Sequence, residues 1–156
     1  MKKLYISLAL LLSITATALG QTESSSGYKT AAGLRLGYPY GVSVKHFANE
    51  KSAIEGILGF WYGGLNLTAL YEYHQPLGKE PGLKWFAGGG AEFTSWNYGG
   101  YSGGVFGIDL IAGLDYKLPS SPLNLSLDWK PAFIISGGAG GFYGGGGGLT
   151  ARYTFR

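Results

Sequence analysis

Val105-Phe106-Gly107-Ile108-Asp109-Leu110-Ile111-Ala112-Gly113-Leu114-Asp115-Tyr116-Lys117-Leu118 decides how the rest of this chain is read. Taken in steps of two, Phe106, Ile108, Leu110, Ala112, Leu114 and Tyr116 share one register. Gly107, Asp109, Gly113, Asp115 and Lys117 share the other. Successive side chains of a strand point to opposite faces, so one face here is apolar and the other holds every charge.

Seven further segments repeat the pattern: Tyr28–Tyr38, Val42–Ala48, Ala53–Tyr62, Leu65–His74, Leu83–Thr94, Leu123–Ile135 and Gly148–Arg156. Turn-forming residues separate them, among them the Gly63-Gly64 pair, a two-residue hairpin signal. Loops are predicted at Pro39–Gly41, Trp96–Gly104 and Gly137–Gly147, with a longer connection at Gln75–Gly82. Across the eight segments one register carries Lys29, Arg35, Lys45, Glu55, Glu72, Lys84, Glu92, Asp109, Asp115, Lys117, Asp128, Lys130 and Arg152. The other register carries no charge. A charge on a lipid-facing strand position costs about 2–4 kcal/mol at the bilayer midplane. Seven positive and six negative residues on the opposite face suit a narrow lumen, where an unpaired charge is costly. The predicted fold is all-β, an eight-stranded antiparallel up-and-down transmembrane β-barrel.

Strand period alone does not say which face is outside. A soluble barrel would turn the apolar register inward. Against that, eight strands enclose a space that side chains or one small ligand fill, and the aromatic register would overfill it. The charged register also holds Gly33, Gly37, Gly59, Gly88, Gly90, Gly107 and Gly113, which suit a crowded interior and weaken a solvated face. Tyr and Trp gather near strand ends, as interfacial girdles do, with Trp129 an exception in mid-strand.

Met1-Lys2-Lys3 followed by an apolar run and small residues at Ala16 to Gly20 reads as a cleaved secretory signal over residues 1–20. Residues 21–27 then form a polar periplasmic leader and 28–156 the barrel. Without Lys2 and Lys3, ten basic residues face nine acids, a balance of +1 that implies no nucleic-acid partner. The charged fraction is 13%, about half that of ordinary soluble domains. The chain has no cysteine, so neither lipidation at an N-terminal cysteine nor a disulfide framework is available.

With this architecture the chain resembles the small outer-membrane β-barrel proteins of Gram-negative bacteria, of the OmpA-transmembrane or OmpX kind. Its Gly and Tyr content is similar to that of Bacteroidetes outer-membrane barrels. The most specific piece is the last segment, Gly148-Leu149-Thr150-Ala151-Arg152-Tyr153-Thr154-Phe155. There Gly148, Tyr153 and Phe155 look like the family's assembly signal, departing from it by ending in Arg156. The resemblance implies outer-membrane lipids and the barrel-assembly machinery as partners, and a monomer. An even strand count puts both termini in the periplasm and the loops at Pro39–Gly41, Gly63-Gly64, Trp96–Gly104 and Gly137–Gly147 outside.

No catalytic, cofactor or metal constellation emerges. Gly144–Gly148 lacks the following Lys and Ser/Thr of a phosphate loop, and no G-x-G-x-x-G occurs. Some eight-stranded barrels modify lipid A with a His and a Ser, but His46 and His74 fall at the periplasmic strand ends, without a His-x-Ser pair. Two histidines without cysteine make a poor metal site. Pro131 deletes a ladder hydrogen bond; it marks either a tolerated β-bulge or a lateral seam for small hydrophobic molecules, as in OmpW-like barrels. The expected role is therefore a non-enzymatic scaffold with a closed lumen, lined by Arg35, Lys45, Glu55, Glu72, Lys84, Glu92, Asp109, Asp115, Asp128, Lys130 and Arg152. A lateral carrier is the second reading and a lipid-modifying enzyme the third.

Overall fold

The computed structural model describes residues 27–61, 63–136 and 140–155, the Trp61 side chain excepted. The expected signal segment and all of the leader but Gly27 lie outside these residues. Every described element is a strand: β1 Thr30–Tyr38, β2 Tyr40–Phe47, β3 Ser52–Trp61, β4 Gly64–Pro76, β5 Leu83–Tyr98, β6 Tyr101–Lys117, β7 Leu123–Trp129, β8 Ala132–Ile134, β9 Gly141–Tyr143 and β10 Gly147–Phe155. Neighbours pair antiparallel, and β1 pairs with β10 to close the sheet on itself. Closure leaves only the short β9, beyond the end of the β1–β10 pairing, with an unpaired edge, so along the rest of the wall backbone donors and acceptors are met between strands without water.

β7 and β8 are one stave. Both pair with β6 in a single register, Ala112 with Trp129 and Asp109 with Ala132. β9 and β10 form the eighth stave against them. The molecule is a closed, eight-stranded antiparallel barrel. One end holds the start of β1 and the finish of β10, the termini of the described barrel, with the β2–β3, β4–β5 and β6–β7 turns. The other holds the β1–β2, β3–β4 and β5–β6 hairpins and the β8–β9 connection. These are called the termini end and the hairpin end.

The alternation places its two registers as lipid would require. Leu34, Leu36, Ile54, Leu67, Tyr71, Leu110, Leu127 and Trp129 point outward and are at least half exposed. Of the thirteen residues on the charged register, eleven are buried, with Lys29 and Lys117 half-buried at the termini end. Gly113 shows why the inner face needs small residues. A Cβ there would run into the Leu127 carbonyl and lie 2.8 Å from the Phe86 ring.

Three local readings change. Trp96–Gly104 is not a loop, because β5 and β6 stay paired to Tyr98 and Tyr101 and turn only at Gly99-Gly100. Both glycines have positive φ, the conformation that a two-residue hairpin turn demands. The segment expected as the Gly137–Gly147 loop contains β9, although Gly137, Gly138 and Ala139 lie outside the described residues. Tyr28 does not face lipid. The chain leaves the sheet before Thr30, and Tyr28 turns under the barrel, edge-on to Phe47 at 5.3 Å.

Pro131 keeps its stave in register with β6, and its carbonyl accepts the Leu110 N–H at 2.9 Å. Only the reciprocal bond to the Leu110 carbonyl is missing, since proline has no N–H to give. The irregularity lies on the opposite stave. Lys130 N–H donates to the Gly146 carbonyl, while Ala132 pairs with Tyr143. Gly144 and Gly145 therefore face the single Pro131, a β-bulge in glycine-rich chain. The bulge would leave a carbonyl unsatisfied in lipid, but the Trp129 indole N–H donates to the Gly144 oxygen at 2.7 Å.

Candidate functional site

Two groups of charges fill the lumen, separated on β3 to β6 by an apolar layer and joined on β7 and β10 through Ser126 and Thr150. In the group nearer the termini, Lys45 reaches Glu72 at 2.7 Å, Glu55 at 3.2 Å and Asp115 at 3.4 Å. Arg152 spends its planar fork on several strands at once. It bonds Glu55 at 2.5 Å, Ser43 and Ser126 at 2.7 Å, and Asn124 at 3.2 Å. Asn124 in turn donates to Asp115, and Ser43 to Glu55. Each partner comes from an inward position of its strand, so the period-2 pattern itself assembles the network. Glu72 Oε1 alone of the network's carboxylate oxygens is buried without a hydrogen-bond partner; a network this nearly satisfied holds one arrangement, because any broken member leaves a further buried group unpaired.

The group nearer the hairpins is simpler. Arg35 makes a bidentate pair with Asp128, at 2.5 and 2.7 Å. Lys130 sits between Glu92 at 2.8 Å and Asp109 at 3.1 Å, and Glu92 also accepts from Asn66. Among the described residues, four of the five buried cations pair with the six buried carboxylates, so Lys45 and Lys130 each serve more than one.

The lumen also contains large apolar side chains on the charged register. Ile57, Leu70, Phe86 and Ile111 form one buried cluster, and Tyr28, Ala31, Phe47 and Ala53 form another at the termini end. On β4 Leu70 lies between Thr68 and Glu72; on β6 Ile111 lies between Asp109 and Asp115. His74 stacks on Phe86 at 5.0 Å and bonds Glu72 at 2.9 Å. Lys84 approaches no carboxylate to ion-pair distance among the described residues and instead lies 5.4 Å from the centre of the Phe47 ring. An aromatic face attracts a cation in that geometry.

An inner register marked by glycine, polar and charged residues does not announce this layer. The signal was present: Ile57, Leu70, Phe86 and Ile111 break the alternation of their own strands.

Gly148 pairs with Gly37 and Asp128, and a Cβ on it would lie 2.5 Å from the Leu36 carbonyl oxygen. Tyr153 and Phe155 project outward with rings 5.2 Å apart, at the termini end of β10. Pro131 is buried. His46 bonds Thr30 at 2.9 Å and His74 bonds Glu72, so the side-chain partner of neither histidine is a serine. No group of three or more metal-ligating side chains occurs among the described residues.

No protein-family model matches the chain. No curated protein matches it either. Among solved structures, it is similar to the N-terminal β-barrel domain of Pseudomonas aeruginosa OprF, at 16% identity and TM-score 0.58, over 81% of this chain and 95% of that one. Neisserial surface protein A is also similar, at 16% identity and TM-score 0.47, over 81% of this chain and 94% of that one. The first likeness shows that the fold is that of a small outer-membrane β-barrel.

Proposed function

We propose that this chain is an integral outer-membrane barrel without enzymatic activity, closed along its axis, which acts as a scaffold for whatever meets its hairpin end. The observation that carries the reading is the division of the two registers. Outward strand positions are apolar and exposed, whereas Arg35, Lys45, Glu55, Glu72 and Arg152 are at most 1% exposed inside. Exposed apolar surface on this scale belongs against lipid, since soluble monomers rarely carry more than a few hundred Å² in one patch.

The closed lumen rests on the two ion-paired groups and the Ile57, Leu70, Phe86 and Ile111 layer between them. Ion transfer past that layer would have to strip charges of water or break paired ones. The termini lie in the periplasm and the hairpins outside, and Gly148, Tyr153 and Phe155 serve assembly. The lateral carrier near Pro131 gains no support from a stave that stays in register with β6. Planar-bilayer conductance of the refolded protein tests the closed scaffold. Silence at moderate voltage is the expected result, and steady single-channel steps would overturn it.

A further inference from the structure

The lumen charges balance in one half of the barrel and not in the other. Towards the termini, Lys45, Lys84 and Arg152 face Glu55, Glu72 and Asp115, three against three. Towards the hairpins, Arg35 and Lys130 face Glu92, Asp109 and Asp128, and Asp128 takes Arg35 for itself. Lys130 is left with two carboxylates, so one negative charge stays uncompensated among the described residues.

Asp109 carries that deficit. It is 0% exposed, and neither of its carboxylate oxygens has a hydrogen-bond partner. Lys130 Nζ stands 3.1 Å from Asp109 Oδ2, off the direction of a hydrogen bond, while it donates to Glu92 Oε2 at 2.8 Å. Asn66 donates to the same Glu92 oxygen. Asp109 Oδ1 and Glu92 Oε1 remain. The two acids are diagonal neighbours on the inner face, since Asp109 pairs with Gly90 and Glu92 with Gly107. Glycine keeps the space beside them. A Cβ on Gly107 would lie 3.2 Å from Glu92 Cγ and 3.5 Å from its Oε1. Buried charges are paired or coordinate metals, because a lone one is too costly to keep out of water.

We propose that Asp109 and Glu92 bind one monovalent alkali-metal cation, sodium or potassium, in the hairpin half of the lumen. Three observations select it. A single positive charge is missing. The atoms left over are oxygens, the ligands that such hard ions take in pores and filters. A divalent ion would leave this half positive and takes about six or more oxygens, whereas no three acidic or histidine side chains converge among the described residues. The apolar layer of Ile57, Leu70, Phe86 and Ile111 lies between the site and the termini end, so the ion exchanges through the hairpin mouth and the barrel stays closed.

The test uses full-length refolded protein in detergent at fixed pH and ionic strength, with the chloride of sodium, potassium or choline. Choline is too large for the site. Sodium or potassium should oppose urea unfolding in a saturable way. At one hundred times the half-saturating concentration, the unfolding constant should fall about a hundredfold relative to choline. The sodium NMR line should broaden on adding the protein. Asp109→Asn, which removes the charge and keeps the shape, should abolish both effects. Should that variant fail to fold, Gly107→Ala, which crowds the Glu92 carboxylate, should weaken sodium binding about tenfold. Glu80→Gln, at the termini end, should leave binding unchanged. Identical unfolding in the three salts, or line broadening that persists in Asp109→Asn, would overturn the site. So would a stability that responds to pH and to no cation, because a proton on Asp109 would then supply the missing charge.

Discussion

The termini half and the hairpin half of this barrel use the same period-2 chain for opposite purposes. Towards the termini, Lys45 and Arg152 join Ser43, Glu55, Glu72, Asp115, Asn124 and Ser126 into one buried network. Phe47, His74, Phe86 and Tyr28 pack around it. Towards the hairpins, the lumen holds one bidentate pair and one lysine shared by two acids, and the rim beyond is glycine and aromatic residues. Tyr98 and Tyr101 are 75% and 82% exposed at the tip of a hairpin that packs little beyond itself. The difference teaches where stability and presentation reside. Interlocked charges fix the strands at one end, which leaves the other free to carry residues that stabilise nothing.

The strongest way to break this comparison is Arg152→Met. It takes from Glu55 one of its two cations, leaves Lys45 alone among Glu55, Glu72 and Asp115, and leaves Ser126 and Asn124 short of a donor; it should cost about 3–5 kcal/mol, as for a buried pair that loses one partner. Urea unfolding in detergent measures it. Next comes Leu110→Arg, on the lipid-facing wall and half exposed. It should cost about 2–4 kcal/mol in vesicles, whereas a soluble barrel would show a different dependence on lipid.

Removing Glu55 together with Arg152, as Glu55→Gln with Arg152→Met, should cost less than the sum of the single changes. The coupling between such contacting residues is of order 0.5–3 kcal/mol. Additive costs would mean that the network is hydrated and its members independent. Smallest is Tyr98→Ser at the hairpin tip, within about 0.5 kcal/mol of wild type, as for other exposed positions. If it proved as damaging as Arg152→Met, the division between the two halves would collapse.

The sequence made the termini half the easier one to read. Arg152 sits on a cleanly alternating strand, and Ile54, Tyr71 and Tyr153, beside Glu55, Glu72 and Arg152, mark the outer face. Pairings between particular charges were not legible, because strand period gives a face and leaves axial offset to strand tilt. The apolar lumen layer was hidden by the same reasoning that found the barrel. Once a register is called polar, Phe86 and Ile111 look like exceptions, although a narrow lumen without a ligand must be filled by something.

At the hairpin end the signals were weak for a physical reason. Gly141-Phe142-Tyr143 and Tyr101-Ser102-Gly103-Gly104 lack the alternating side chains that announce a strand; backbone pairing holds them, helped on β9 by Phe142 against Phe133 and Tyr143 against Tyr38. Pro131 is the residue that looks irregular in the sequence, but the extra residue lies across from it, at Gly144-Gly145. A run of glycines does not reveal which of its members will bulge.

Site-selective quenching tests the central claim most directly, that the apolar register faces lipid and the charged register faces inward. Trp129 is 55% exposed on the outer wall, and Phe86 is 1% exposed inside. Two single-tryptophan proteins, one retaining Trp129 alone and one carrying Phe86→Trp alone, are refolded into vesicles of lipid brominated along its acyl chains. Strong quenching of the first and weak quenching of the second is the predicted result. Equal quenching of both, or stronger quenching of the second with Trp129 open to aqueous iodide, would contradict it and turn the barrel inside out.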